Sequence, residues 1–391
     1  MRKLQESQLS VQALTRLASV GVFLLASWAD GGHVALIAFQ GALLAIPYTL
    51  VEALVGRPQS AGVVPREWDS ERWALRAATT VTLPVAAIAY VSMSIALPQS
   101  SVLDRLLVIV PVLLQLPIEA LFWSMAATRT RRRANLVPQT VAAGTLVTAA
   151  ILALTGARLE IAAVPAQLVV LAWALASLRP GNAPGPIAAI RPGISYCVAA
   201  GVDLAYVIAL PAVAGALAGP EAIVVLRAMD LAFGPFHVAL AASTREDIVA
   251  GRDARFRTKV RALTVVLWAG IAAVVLASPW VRGLLAGELE AASFTAVALY
   301  CAYKGAVMVS TWLSTRHMIR AAPRTYLVSA IGSRAIAFAG LALALLWVSV
   351  AEDLFLQLAV AEALVVAWFA GRMRSTASAT LVPLRHPQET P

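Results

Sequence analysis

Long apolar runs alternate with short polar breaks along this chain, and no stretch shows the period-2 alternation of a strand. Twelve runs reach or approach membrane-crossing length: 12–28, 34–55, 77–97, 106–126, 136–155, 161–178, 194–216, 222–242, 262–278, 292–314, 325–349 and 354–371. A hydrocarbon core about 30 Å thick takes roughly 20 apolar residues in a helix. Lipid admits only helices or closed barrels, because every backbone polar group must be satisfied within the protein. The pattern therefore predicts an all-α polytopic membrane protein with twelve transmembrane helices. Composition agrees: 60% of residues are hydrophobic and 13% charged, with mean hydropathy +0.78, which excludes a soluble class. The start "MRKLQESQLSVQALTRLASVGVFLLASWADGG" also reads as a signal peptide cleaved after "ASWA".

The net charge of +10 raises the question of nucleic acid, and its placement answers it. Of 31 Lys and Arg, 24 fall at the N-terminus, in alternate loops and in the C-terminal tail. Those loops hold Arg57, Arg66, Arg72 and Arg76; Arg129 and Arg131 to Arg133; Arg179 and Arg191; Arg245 to Arg261; and Arg316, Arg320 and Arg324. The intervening loops hold Arg105, Arg158 and Arg282. Such a bias orients a membrane protein with both termini cytoplasmic, so "TRTRRRAN" is a topology anchor and not a nucleic-acid patch. The preference for Arg over Lys and the Ala-rich spans suggest a GC-rich, bacterial genome.

Residues 179–193, "RPGNAPGPIAAIRPG", divide the spans six and six. They predict a linker between bundles at 1–178 and 194–373, followed by a flexible basic tail at 374–391 suited to anionic lipid. The halves echo one another. Pro47 and Pro235 are 188 residues apart, as are Arg57 and Arg245; Arg72 and Arg261, like Trp123 and Trp312, are 189 apart. Each pair holds the same topological place, so the six-helix repeats run parallel around a central cavity, the plan of an alternating-access transporter. The echo also favours retaining span 1. The outer loops are too brief for a catalytic domain, and no metal cluster, phosphate loop or nucleophile motif is present. An enzyme, a cofactor and a metal are not expected. Cys197 and Cys301 sit inside spans as small apolar filler.

Ionisable residues within the spans carry the candidate chemistry, because each costs roughly 2.5–3.5 kcal/mol in lipid and so should face a wet interior. Glu119, Asp203, Lys304 and Glu362 fall near the middles of spans 4, 7, 10 and 12. Arg334 lies about a third of the way along span 11, and Arg16 near the cytoplasmic end of span 1, from which it can snorkel. In "LRAMDLAFGPFHVAL", Arg227 and Asp230 are one turn apart and can pair with each other. His237 follows the Gly234-Pro235 break and reads either as a packed neutral histidine or as a proton carrier. Deep cations suit a phosphate-bearing substrate, which guanidinium groups grip bidentately. The acids would balance them or bind the coupling ion. Pro47, Gly234 and Pro235 are candidate hinges.

Two stretches resemble a known family. "SPWVRGLLAGELEAAS" is similar to a proline, apolar pair, Gly, then Ala pattern, here Pro279, Leu284, Leu285, Gly287 and Ala291. "STRHMIRAAPRTYLVSAIGSRAIAFAGLAL" is similar to a basic loop leading into a span, and "FWSMAATRTRRRANLVPQTV" repeats that form. The family is the MOP superfamily, specifically its polysaccharide-exporter (Wzx-type) and MurJ-type lipid-linked glycan flippases. The resemblance implies two six-helix bundles around a V-shaped cavity and export of a polyprenyl-pyrophosphate-linked glycan across the cell membrane. It implies pyrophosphate binding by Arg227, Lys304 and Arg334, with Arg16 a further candidate, and membrane lipids and cell-envelope glycan assembly proteins as partners. Two alternatives stay open: another twelve-span secondary transporter, such as a drug/H⁺ antiporter, and a non-transporting scaffold subunit.

Overall fold

A computed structural model describes residues 2–29, 33–60, 63–65, 67–128, 131–178, 181–232, 294–320 and 323–379. The helices are α1 (Arg2–Ala29), α2 (Val34–Leu43), α3 (Ala45–Val51), α4 (Arg57–Ser60), α5 (Ser70–Thr80), α6 (Thr82–Ala96) and α7 (Val102–Thr128). They continue with α8 (Arg131–Thr155), α9 (Val164–Ala176), α10 (Pro186–Ile190), α11 (Ile194–Ala232), α12 (Phe294–Arg320), α13 (Pro323–Trp347) and α14 (Ala351–Ala379). No strand occurs among the described residues. Eight helical stretches among them are long and apolar enough to cross a membrane. The surface fits that reading: Leu83, Leu154 and Leu346 are 80–83% exposed, which suits lipid and not water. Span 9, the loop before it and the Pro279 to Ala291 motif lie outside the described residues.

Prolines explain where spans break. α2 and α3 are one span interrupted at Leu44, three residues before Pro47. A proline in a helix lacks its amide hydrogen, and its ring crowds the carbonyl four residues earlier. The same offset recurs at Val81, which separates α5 from α6 ahead of Pro84. Pro111 and Pro117 in α7 and Pro138 in α8 leave their helices continuous. Just beyond Pro47 the chain widens into a π-helical turn, Glu52–Gly56, a feature common at functional sites.

α1 packs on α8, and α7 on α5, α8 and α9, while α12, α13 and α14 pack against one another. α11 joins the two groups, lying on α2, α3 and α6 and also on α13. The Pro/Gly segment is seated rather than strung between them. Trp73, fully buried, donates from Nε1 to the Ala189 carbonyl at 2.8 Å, and the Asp69 amide donates to Asn182 O at 3.0 Å.

α11 contains both span 7 and the described part of span 8, turned at Gly219 with φ 78° and ψ 178°. That combination is essentially confined to glycine. Pro220 then opens the second limb, where its fixed φ suits a first helical position. Gly219→Ala is expected to destabilise the protein by roughly 1–3 kcal/mol. Thermal unfolding in detergent would show this, and an unchanged midpoint would contradict a strained turn.

Candidate functional site

The polar interior divides into two regions, and α11 contributes to both. The first is a cleft open to its surroundings, walled by α1, α2, α3, α7, α8 and α9. Arg227 reaches into it from α11. Its guanidinium lies against Gly41 so closely that a Cβ there would sit 2.5 Å from Nε and Nη2. Glycine at this position is therefore what admits the cation between α2 and α11. Arg16 of α1 lies within electrostatic reach of Arg227, and Tyr48 within reach of Arg16, Arg227 and Glu119. Glu119, 6% exposed, accepts a 2.9 Å hydrogen bond from Gln115 Nε2.

The second region holds the deep charges of α11 to α14. Asp230 forms an ion pair with Lys304 and accepts a 2.7 Å hydrogen bond from the Tyr300 hydroxyl. The lysine ammonium also lies over the rings of Tyr300 and Tyr303, 5.5 and 5.4 Å from their centroids. Arg334 pairs with Asp203 at 2.5 Å and lies 5.6 Å over the Tyr206 ring. Asp203 is 53% exposed at its side chain, so this face must be wet, because an exposed carboxylate in lipid would be costly. Glu362 accepts a hydrogen bond from Ser310 and lies within electrostatic reach of both Lys304 and Arg334.

The structure thus separates residues that the sequence grouped. Arg227 lines the cleft, with Arg16 in its electrostatic reach and Glu119 bonded to the lining Gln115, whereas Lys304 and Arg334 sit across α11 in interhelical pairs. Asp230 is held by Lys304 and Tyr300, and no ion pair between it and Arg227 forms among the described residues. The hinge candidates Gly234 and Pro235, and His237, lie outside the described residues.

Sequence reasoning passed over several side chains that build these regions. Gln40 donates to the carbonyls of Val108 at 3.1 Å and Glu160 at 2.8 Å. Gln167 of α9 donates to Pro111 O at 2.9 Å and to Gln115 Oε1 at 3.0 Å. A signal was available, since Gln115 and Glu119 are one helical turn apart, as are Tyr300 and Lys304. Glu160, fully buried, has His33 Nδ1 2.9 Å from its Oε1, close in distance but not aligned as a hydrogen bond. Both sit in loops too short to draw attention. Among the described residues no group of three or more His, Cys, Asp or Glu is placed to hold a metal ion, and Cys197 and Cys301 are free thiols.

These features, apolar helices long enough to span a membrane with charges held in their interior, define a polytopic all-helical fold, and solved structures of MOP superfamily transporters share that fold. An inward-facing multidrug resistance MATE family transporter of that superfamily aligns with TM-score 0.64 and 15% identity, over 95% of this chain and 96% of its own. The lipid II flippase MurJ, in an inward closed conformation, aligns with TM-score 0.67 and 11% identity, over 96% of this chain and 88% of its own. A MOP superfamily transporter from Pyrococcus furiosus, described as having a binding pocket of reversed polarity, aligns with TM-score 0.59 and 12% identity, over 96% of this chain and 95% of its own. No family model matches the chain, and no curated protein does.

Proposed function

We propose that this protein flips a polyprenyl-pyrophosphate-linked glycan from the cytoplasmic to the outer leaflet by alternating access, with both termini in the cytoplasm. The observation that carries the reading is the Arg227 guanidinium set into the cleft with Arg16 in electrostatic reach, while nearby Asp230 is already engaged by Lys304. A substrate pyrophosphate would bring negative charge to Arg227 and Arg16 beyond what Asp230 offers across the helix turn, and guanidinium is the side chain best shaped to bind it. Lys304 and Arg334 then join the site when the bundles move and their pairs with Asp230 and Asp203 open. Glu119, Glu362 and, from its sequence position, His237 serve to balance charge or to take the coupling ion. Pro47, with its break at Leu44, and the Gly234-Pro235 step act as hinges between the 1–178 and 194–373 bundles.

A second reading, an exporter of cationic drugs, is favoured by the Glu119 carboxylate bordering the same region and by the likeness to a MATE transporter. Reconstitution in liposomes separates the two. Flipping of a fluorescent polyprenyl-pyrophosphate glycan, without accumulation of a cationic dye, is the expected result. Dye transport by a folded protein that leaves the glycan lipid in place would replace this proposal with the drug-exporter reading. Transport of neither would point to the scaffold.

A further inference from the structure

The cleft that holds Arg227 is also lined by two glutamines that the pyrophosphate reading does not use, Gln115 and Gln167, and Gln115 is bonded to Glu119 behind it. Gln167 of α9, Gln115 of α7 and Glu119 one turn further along α7 run in a single hydrogen-bonded line. Gln167 Nε2 donates to both Pro111 O and Gln115 Oε1, at 2.9 and 3.0 Å, and Gln115 Nε2 donates to Glu119 Oε1 at 2.9 Å. These bonds fix the sense of both amides. Turning Gln167 over would set its oxygen against two acceptors, and turning Gln115 over would set like atoms together at both ends.

With the sense fixed, the unused hydrogen-bonding capacity of the row can be read off. Both N–H groups of Gln167 are spent, while its Oε1 is buried with no partner among the described residues. Among the described residues Glu119 accepts one hydrogen bond, although a carboxylate accepts about four. The row is therefore short of donors. A ligand that completes it must bring O–H or N–H groups. An ammonium would also donate, but Arg227 in the same cleft and Arg16 within its reach repel one. Tyr48 adds a partly exposed aromatic ring on the cleft wall, the kind of surface on which the C–H face of a sugar can lie.

We propose that Gln115, Gln167 and Glu119 form a sugar subsite, receiving hydroxyl and amide N–H donors of the first sugar while Arg227 holds the adjoining pyrophosphate. The proposal rests on the flippase reading, and the experiment separates the two. Two short-chain polyprenyl pyrophosphates are titrated into the full-length protein in detergent, one bare and one carrying a single N-acetylated hexose. The sugar-bearing lipid is expected to bind the wild type on the order of ten-fold more tightly, the scale of one or two completed hydrogen bonds. That ratio should fall toward one in Gln115→Leu and Gln167→Met. Arg227→Gln should weaken both lipids together and keep the ratio.

Equal affinities in the wild type would overturn the subsite and leave the flippase reading standing. Binding of neither lipid by a folded protein would overturn the reading beneath it. Folded glutamine variants that keep the full ratio would also overturn the subsite. Should those variants fail to fold, the wild type titrated with O-methylated sugars decides the matter. Loss of the preference supports donor recognition, and its retention refutes it.

Discussion

Arg227→Gln is expected to slow flipping of a pyrophosphate-linked glycan by roughly ten- to one-hundred-fold, the scale of one hydrogen-bonded charge contact. Glutamine keeps most of the side chain's reach and some of its donors, so the loss reports the cation and its fork rather than volume. Arg227→Lys retains the charge without the bidentate geometry and should fall between the two. Gly41→Ala tests the same contact from α2, leaving the arginine intact. Its new methyl would lie 2.5 Å from the guanidinium nitrogens, so Arg227 must shift and the rate should drop with no change in charge. Initial rates in liposomes of matched protein content provide the measurement. Rates for Arg227→Gln within two-fold of wild type would retire the cleft as the anion site.

These variants also show what was and was not legible in the sequence. Arg227 stood out because a charge inside an apolar run is costly and must have a reason. Its surroundings could not be read, because the direction in which a side chain leaves α11 depends on how that helix rotates between its neighbours. One turn separates Arg227 from Asp230, yet one reaches Gly41 on α2 while the other pairs with Lys304 on α12. Pairs such as Asp203 with Arg334 join residues 131 apart in the chain, and hydropathy carries no information about them. The spans were easier to read, since length and apolarity are local. Even there, the Leu44 and Val81 breaks depend on Pro47 and Pro84, while Pro111, Pro117 and Pro138 leave no break. Neighbouring helices decide that outcome. The glutamines went unnoticed because a neutral amide disturbs an apolar run little, although buried amides need partners as strictly as charges do.

Lys304→Met should produce the largest loss of stability among these variants, for reasons distinct from substrate binding. Lys304 is 8% exposed, and its ammonium neutralises Asp230 while lying over the rings of Tyr300 and Tyr303. Removing one member of a buried pair typically costs about 3–5 kcal/mol, because the other charge is left uncompensated. Asp230 is 39% exposed at its side chain and keeps some hydration, which places the expected loss nearer 2–3 kcal/mol. The double variant Asp230→Asn, Lys304→Met removes both charges and should recover most of it, with Tyr300 still able to donate to the amide oxygen. Thermal unfolding of the four proteins in one detergent closes the cycle, and a single variant as stable as the double would show that the pair holds nothing. The stable double variant then isolates the second role. If Lys304 serves only to neutralise Asp230, flipping should be restored along with stability. If it turns to the pyrophosphate once the pair opens, the double variant folds well and still flips slowly.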